Sequence, residues 1–256
     1  MKIGVLGLGL IGGSIFKKLC ELNKYEVIGV SSSVEAEGVT NNLETLSSCN
    51  LVFVCTPMSV TLDALEKLNK ILPKSTVVTD VCSLKRFVST KKNKFKFNFI
   101  PSHPMAGTER SGWEYSFPEL FKNAKWAITP IDGNISDGQE VLEQVIEELG
   151  AEVVITTPDE HDRAVALISN LPLLVAQALC LNIKDNKLAQ YLAASGFKDT
   201  TRLALSNLQM ANDMLNINRE NILFSVDALK ESLNSLLETD YIELAKKIKN
   251  FRQNLF

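Results

Sequence analysis

The chain has 256 residues, which is enough for one large or two moderate domains with buried cores. Charged residues make up 22% and hydrophobic residues 45%, as is usual for a globular protein in water. The formal net charge of −3 offers neither the basic footprint of a nucleic-acid-binding protein nor a cationic face for a membrane surface. We therefore expect a cytoplasmic protein that binds neither nucleic acid nor membrane.

Histidine is the scarcest polar residue type, with only His103 and His161 in the chain. A mechanism that needs an imidazole near neutral pH must use one of these two side chains. The five cysteines lack metal-type spacing, so we expect free thiols in a reducing compartment and no metal site. No apolar run approaches the ~20 residues that span a bilayer, and the apolar N-terminus is typical of a strand and turn rather than a signal peptide.

The first part of the chain alternates short apolar strands with helical patterns. This alternation indicates right-handed crossovers and a mostly parallel sheet in an α/β domain. Strands are predicted over residues 2–6, 25–30, 51–55, 75–79, 97–100, 126–129 and 151–155. Helices are predicted over residues 15–22, from 57 onward and over 138–149.

The pattern changes at Thr157, where a helix is predicted to start. Thr157 and Glu160 form a capping box around Pro158, and proline is favoured at the first helical position. Beyond this point the chain has helical periodicity and no clear strand. We therefore predict an α/β domain over residues 1–157 and an all-α domain over residues 158–256.

The helices of the predicted second domain carry apolar stripes along single faces. Pro172 falls within the first of them and should kink it, because proline removes a backbone donor and crowds the preceding turn. The stripes consist of Ala164, Leu167, Ile168, Leu171, Leu174, Val175 and Ala178; Ile222, Val226, Leu229, Leu233 and Leu236; and Tyr241, Leu244, Ala245, Ile248 and Phe251.

Gly7, Gly9 and Gly12 form the pattern G-x-G-x-x-G between the first strand and the first helix. The first glycine allows a tight turn, the second lets the backbone approach a pyrophosphate, and the third lets helix and strand pack closely. The N-terminus of the following helix then presents free N–H groups to phosphates, and Leu10 and Ile11 within the turn are also predicted to bind the cofactor. This context favours a Rossmann-type dinucleotide-binding domain over a purely structural turn.

The sequence leaves the choice of dinucleotide open. Ser31 and Ser32 follow the second strand in place of the carboxylate that usually binds the ribose 2′-OH of NAD. Their hydroxyls suit a 2′-phosphate, but no arginine is nearby, so the expected cofactor is NAD or NADP. Cys55, Thr56 and Pro57 fit a loop under the nicotinamide ribose and a simple strand-to-helix cap equally well.

His103 lies between Pro101 and Pro104 in a loop predicted to follow a strand directly, where α/β sheets place ligand-contacting residues. The prolines stiffen this loop, which favours a general base over a structural histidine bonding the loop backbone. Ser83 also follows a predicted strand, where it could orient the imidazole by hydrogen bonding, cap a helix, or do both.

Two further residues are open to more than one interpretation. Arg202 follows a glycine and a polar cluster, which fits bidentate binding of a carboxylate and a surface salt bridge equally well. His161 follows the capping box, and its neighbour Asp162 is expected to point elsewhere because adjacent helical residues diverge. We therefore interpret His161 as a structural residue at the domain junction.

Five segments resemble, in order, the prephenate/arogenate dehydrogenase family of tyrosine biosynthesis. The histidine and arginine segments are far more specific than the glycine motif. The family's architecture is also similar, with a Rossmann domain followed by a helical domain, and it implies a homodimer formed through the C-terminal helices. The matching segments are GLGLIGGS (7–14), VCTP (54–57), DVCSLK (80–85), HPMAGTERSG (103–112) and GFKDTTRLA (196–204).

The resemblance implies oxidative decarboxylation of prephenate to 4-hydroxyphenylpyruvate, or of arogenate to tyrosine, with hydride transfer to NAD(P)+. His103 matches the family's catalytic histidine, which takes the proton of the substrate's 4-hydroxyl, and Ser83 matches the residue that supports it. Arg202 matches the arginine that anchors a substrate carboxylate. Thr108 and Glu109 fall where the family has residues that line or gate the pocket.

Asn170 and Leu173 depart from the family pattern, because they stand where it often has two histidines that help to recognise the substrate side chain. The choice between prephenate and arogenate is therefore open. A catalytically silent dinucleotide sensor is an alternative, although a sensor needs neither the histidine nor the arginine segment. A reductase of a hydroxy acid or imine is another alternative; such enzymes usually rely on a lysine or another proton donor in the helical domain, and nothing in this sequence points to one.

Overall fold

The structure is a computed structural model that describes residues 1–90, 94–108, 110–130, 138–238 and 240–255. A six-stranded parallel sheet in the order β3-β2-β1-β4-β5-β6 forms the centre of the first domain, which confirms the predicted fold class. Its strands are β1 (Lys2–Leu6), β2 (Glu26–Val30), β3 (Val39–Thr40), β4 (Leu51–Val54), β5 (Val77–Asp80) and β6 (Asn98–Phe99).

The helices of this domain follow the predicted order with one difference in extent. The first helix begins at Leu10 rather than at residue 15, so Gly12 and Gly13 lie inside it and bring it close to the sheet. The helices are α1 (Leu10–Leu22), α2 (Met58–Ile71), α3 (Arg86–Ser89) and α4 (Gln139–Glu148). Short 3-10 helices cover Leu43–Ser48, Trp113–Tyr115 and Pro118–Phe121.

Three strands form a second, mixed sheet beside the first. β7 (Ser102–Pro104) pairs antiparallel with β8 (Lys125–Ile128), which pairs parallel with β9 (Glu152–Ile155). The last N–H group that bonds this segment to β5 is that of Ile100, and at Pro101 the chain leaves the parallel sheet, where the Pro101 carbonyl accepts the N–H of Thr129 instead. His103 therefore lies on β7, opposite Ala127, and the prediction that it sits in a loop is wrong.

The second part of the chain is helical throughout its described residues. The first helix starts as predicted, with both hydrogen bonds of the Thr157 capping box formed. A π-helical turn over Ala166–Asn170 precedes Pro172. This turn is the local change in helix geometry that accommodates the proline in place of a break in the helix. The helices are α5 (Pro158–Val165), α6 (Leu171–Asn182), α7 (Lys187–Leu192), α8 (Ser195–Thr200), α9 (Leu208–Ile217), α10 (Arg219–Glu238) and α11 (Tyr241–Leu255), with a 3-10 helix over Arg202–Leu205.

The apolar stripes of the helical part are only partly covered in the single chain. Leu167 and Ile168 are 49% and 65% exposed, whereas Val165, Ala166 and Leu173 form the buried face of the same helical run. The stripes on α10 and α11 are likewise only partly covered. An amphipathic helix with an uncovered apolar face indicates a missing packing partner.

The stretch Pro158–Asn182 is long and apolar enough, by length and composition, to cross a membrane, with a mean hydropathy of 2.0. The prediction that no segment approaches such a length missed this stretch. One such helix is weak evidence for a membrane span, because core helices meet the same criterion. The stretch also carries buried Asp162, which hydrogen-bonds to the α/β domain.

A small apolar cluster joins the two parts of the chain. Met58, Cys82 and Leu84 follow the carboxyl ends of β4 and β5, and they pack against residues of the helical part. Among those residues are Val165 on α5 and Met214 on α9. The helical part therefore rests over the edge of the sheet where the strands end.

Candidate active site

The crevice between β1 and β4 lies at a reversal of strand order. The chain proceeds from β1 to β2 and β3 on one side, then returns to place β4 on the other side of β1. In open α/β sheets, ligands bind outside the carboxyl ends of the strands at such a reversal. The glycine turn after β1 and the Cys55–Pro57 segment after β4 both open onto this crevice.

The three motif glycines have distinct geometric roles. Gly7 has a φ of +89°, and a methyl group added to it would lie 2.8 Å from the Cys55 carbonyl oxygen. A methyl group on Gly12 would lie 1.9 Å from the Gly7 carbonyl oxygen, so helix and turn require glycine there. Gly9 has nothing within 4 Å of such a group, which leaves the space that a pyrophosphate needs next to the backbone.

A cavity of about 840 Å³ extends from the glycine turn past the end of β2. Five predicted cofactor-binding residues line it: Gly7, Gly9, Ser31, Ser32 and Thr56. Leu10 and Ile11 form the first turn of α1, Pro57 precedes α2, and Cys55 packs beneath the glycine turn. The dimensions and the open backbone donors fit a dinucleotide.

Sequence reasoning missed several residues that line the same cavity. Val60, Asp63, Ala64 and Lys67 lie at i, i+3, i+4 and i+7 and so form one face of α2, but two of them are charged, and no periodicity in the sequence marked this face as lining a cavity. Trp113 reaches the cavity from a distant segment, and no sequence pattern marked it either. Lys17 fixes it there, because its Nζ lies 4.3 Å from the Trp113 ring centroid and donates to the Trp113 carbonyl at 3.3 Å.

The two histidines of the chain contact each other. His103 Nδ1 lies 3.0 Å from His161 Nε2, and the rings cross at 77°. His161 Nδ1 in turn lies 2.8 Å from Asp162 Oδ1. The expectation that Asp162 points away from His161 is therefore wrong, because the Asp162 side chain folds back beside its neighbour's ring. His161 was interpreted as a structural residue at the domain junction, and the structure also brings it into contact with His103.

Asp162 also holds the start of α3. Its Oδ1 accepts the N–H of Lys85 at 2.8 Å, and its Oδ2 accepts the N–H of Arg86 at 3.0 Å. These are free donors of a helix N-terminus, which a side-chain oxygen satisfies. The sequence left open whether Ser83 caps this helix. In the structure Asp162, a residue 77 positions from Lys85, supplies the cap.

Lys85 is a fully buried cation directly beneath His103. Its Nζ donates at 2.5 Å to Asp80 Oδ2 and at 2.5 Å to the carbonyl oxygen of Ser102, the residue before His103. Lys85, Asp80 and Ser102 are all 0% exposed. A buried ion pair persists only when its geometry and hydrogen bonds compensate for lost hydration, so this pair fixes β5, β7 and the start of α3 together.

The surroundings of His103 favour its neutral form. Burial, followed by the proximity of His161 and of the Lys85 ammonium, holds the pKa of His103 well below its ordinary value. Its second nitrogen, Nε2, has no hydrogen-bond partner within the described residues. His103 is therefore a neutral imidazole with one ring nitrogen available to a ligand at neutral pH.

The other predicted site residues are not brought into contact with His103. Ser83 Oγ contacts Met58 Sδ at 3.6 Å, and the imidazole is oriented by His161. Arg202 begins an exposed 3-10 turn of the helical part. Thr108 Oγ1 accepts the N–H of Arg110 at 3.2 Å, and Glu109 lies outside the described residues.

Asn170 and Leu173, which stand where the family often has two histidines, are both buried. Asn170 Nδ2 donates to Met214 Sδ at 3.3 Å, and its Oδ1 accepts from Asn218 Nδ2 at 3.0 Å. Leu173 is 3% exposed in the cluster that joins the two parts of the chain. Both positions therefore contribute to packing between the helices and the sheet edge.

A Rossmann-type crevice, a neutral histidine at the same sheet edge and a helical part above it define a dinucleotide-dependent oxidoreductase. The chain matches the family described as "Prephenate dehydrogenase, nucleotide-binding domain" over residues 25–155. It matches "Prephenate dehydrogenase, dimerization domain" over residues 157–253. The chain therefore belongs to the prephenate dehydrogenase family.

Individual relatives cover most of the chain. It is 31% identical to the prephenate dehydrogenase of Bacillus subtilis over 86% of its own length and 65% of that protein's length. It is 32% identical to Synechocystis arogenate dehydrogenase, with a TM-score of 0.81 and coverage of 99% and 97%. It is 28% identical to the A. aeolicus prephenate dehydrogenase bound to hydroxyphenyl propionate and NAD+, with a TM-score of 0.91 and coverage of 100% and 98%.

Proposed function

We propose that this protein is a prephenate dehydrogenase that converts prephenate to 4-hydroxyphenylpyruvate and CO₂, with hydride transfer to NAD+ or NADP+. The observation that carries the proposal is His103, a neutral imidazole with a free Nε2 at the end of the sheet that forms the dinucleotide crevice. The family membership of the chain and the names of its relatives support the same reaction. The proposed domains are residues 1–157 and 158–256.

In the proposed reaction, His103 Nε2 takes the proton of the substrate's 4-hydroxyl as the C4–H bond breaks. A bound nicotinamide would supply the acceptor for the hydride that leaves C4, while the electrons of the C1–carboxylate bond enter the ring as CO₂ leaves. Aromatisation supplies the driving force, so the chain has mainly to position and to accept a proton. Arg202 is proposed to anchor a substrate carboxylate, and Thr108 and Glu109 to line or gate the pocket, while Ser83 is proposed to support the histidine.

We also infer a homodimer formed through the helical part, and a cytoplasmic location in keeping with the biosynthetic relatives. The exposed apolar side chains of α6 to α11 support the dimer, because a single chain leaves them in water. The second matched domain is described as a dimerization domain. A second copy would cover residues such as Ile168, Phe224 and Leu237.

The experiment that tests the function offers prephenate or arogenate with NAD+ or NADP+ and follows the absorbance of the reduced cofactor. We expect turnover with prephenate, and the better dinucleotide then identifies the cofactor. Turnover with arogenate alone would make the chain an arogenate dehydrogenase, an alternative that the Synechocystis relative supports. Dinucleotide binding without turnover in any of the four combinations would contradict the enzyme and favour a sensor.

A further inference from the structure

In the hydrogen-bonded chain His103–His161–Asp162, the Asp162 carboxylate determines which atom of each pair donates the proton. Both carboxylate oxygens of Asp162 accept backbone N–H groups, from Lys85 and Arg86. The carboxylate has no proton to offer, so the 2.8 Å contact requires that His161 Nδ1 carries one. Water does not compete for these bonds, since His161 is 5% and Asp162 2% exposed.

The position of the proton on His161 in turn determines the position of the proton on His103. A neutral imidazole has one N–H and one bare nitrogen, so His161, with its proton on Nδ1, accepts at Nε2. The donor of the 3.0 Å contact is therefore His103 Nδ1–H. The remaining nitrogen of His103, Nε2, then carries the lone pair and points to no described protein group.

We propose that His161 and Asp162 are positioning residues that hold His103 in the tautomer whose Nε2 is free to accept a proton. This inference rests on the proposed function, in which Nε2 takes the proton of the substrate hydroxyl. The other tautomer would place a proton where the base needs its lone pair. In a Ser-His-Asp triad an aspartate fixes the tautomer of the catalytic histidine by bonding to it directly. Here a second imidazole lies between the aspartate and the catalytic histidine.

The chain also stabilises the charge that the reaction creates. Once Nε2 has taken the substrate proton, His103 is an imidazolium whose Nδ1–H is already bonded to His161. His161 Nδ1–H is bonded to the Asp162 carboxylate, so negative charge lies at the end of the chain. Before the reaction, burial of His103 and the proximity of His161 and of Lys85 lower the pKa of His103, so the resting imidazole is neutral.

The first test is nitrogen NMR of the whole protein labelled with [¹⁵N]histidine. Two histidines contain only four ring nitrogens, and His103→Asn assigns them. We expect N–H character at both Nδ1 atoms and bare-nitrogen character at both Nε2 atoms near neutral pH. A His103 that carries its proton on Nε2 would overturn the proposal. The measurement needs no turnover, so it is independent of whether prephenate is the substrate.

The second test compares His161→Leu with His161→Gln. A glutamine oxygen can accept the His103 Nδ1–H, whereas leucine fills the space and accepts nothing. We expect His161→Leu to lower kcat by about 10²-fold, the loss in rate expected when the general base carries its proton on the wrong nitrogen. KM and the dinucleotide Kd should be unchanged. We expect His161→Gln to regain most of this loss.

The same variants separate positioning from packing. In His161→Leu, the ¹⁵N signals of His103 should shift toward the tautomer protonated on Nε2, and in His161→Gln they should not. Melting temperatures establish that both variants are folded. Equal kcat in the two variants, at any level, would overturn the positioning role, because a purely structural histidine is not distinguished by the acceptor that replaces it.

Discussion

The sheet domain and the helical domain bury their apolar side chains to very different extents. Ile3 and Phe53 in the central strands are fully buried, as is Trp126 on β8. In the helical part, Leu237 is 84% and Phe224 76% exposed. The sheet domain completes its own core, whereas the helical domain leaves one for another surface to complete. The proposed active site lies where the two meet.

The sheet domain also buries charged and polar groups at the edge that carries His103. Beneath His103 the sheet edge encloses the ion pair of Lys85 and Asp80, together with the hydroxyl of Ser102. In a dry environment such groups keep fixed positions and strong fields. The sheet domain therefore supplies a rigid, charged layer beneath His103, which we call the charged floor. The helical domain contributes His161 and Asp162 to the proposed active site.

The largest effect is expected from His103→Asn, which removes the base and leaves the sheet domain intact. We expect kcat to fall by ~10²–10⁴-fold. Dinucleotide Kd, measured by quenching of protein fluorescence, should stay near its original value because the glycine crevice is unchanged. Turnover like that of the unmodified protein would remove His103 from the mechanism.

Lys85→Met tests the charged floor. Breaking a buried ion pair leaves Asp80 uncompensated, so the free energy of unfolding should fall by about 3–5 kcal/mol, measured by urea denaturation. The matched control is Lys125→Met, which breaks the exposed pair with Glu152 and should cost about 1 kcal/mol or less. Equal losses in the two variants would contradict the role given to burial.

Lys85→Met should also change the pH dependence. Removing this cation raises the pKa of His103 toward its ordinary value, although burial and His161 still lower it. The base must be unprotonated, so activity is present above this pKa and lost as the pH falls through it. The acid limb of kcat/KM should therefore move to higher pH; a limb at the original pH would show that Lys85 does not act on His103.

Arg202→Gln tests the contribution of the helical domain to substrate binding. Loss of a charge-assisted bond to a carboxylate is worth about 1.5–3 kcal/mol, so KM for the substrate should rise by about 10–100-fold. The dinucleotide Kd should not change, since Arg202 does not line the crevice. An unchanged KM would remove the anchoring role and leave Arg202 as a surface residue.

The smallest expected effect on chemistry comes from the double substitution Leu233→Glu and Leu237→Glu, which places charges on the exposed apolar face of α10. Sedimentation should then report the 28.3 kDa mass of one chain in place of a dimer. The control is Val141→Glu, at a 37% exposed apolar residue of the sheet domain, which should leave the mass unchanged. A dimer that survives the double substitution would locate the interface elsewhere.

Several elements could be predicted because their signals are local. The glycine turn, the parallel strands and the helix start at Thr157 each depend on residues within a few positions of one another. By contrast, Trp113 lies 96 residues from the lysine that fixes it, and no pattern in the sequence links the two.

The sequence by itself determined the Rossmann-type class, the dinucleotide turn and the identity of the residue types available for acid–base chemistry. It could not determine that His161 joins His103, which lies 58 residues away, or that Asp162 turns back to bond it. Those contacts depend on how α5 packs against β7 and α3. Periodicity reports which face of an element is apolar, but only the packed structure decides which polar groups meet across it.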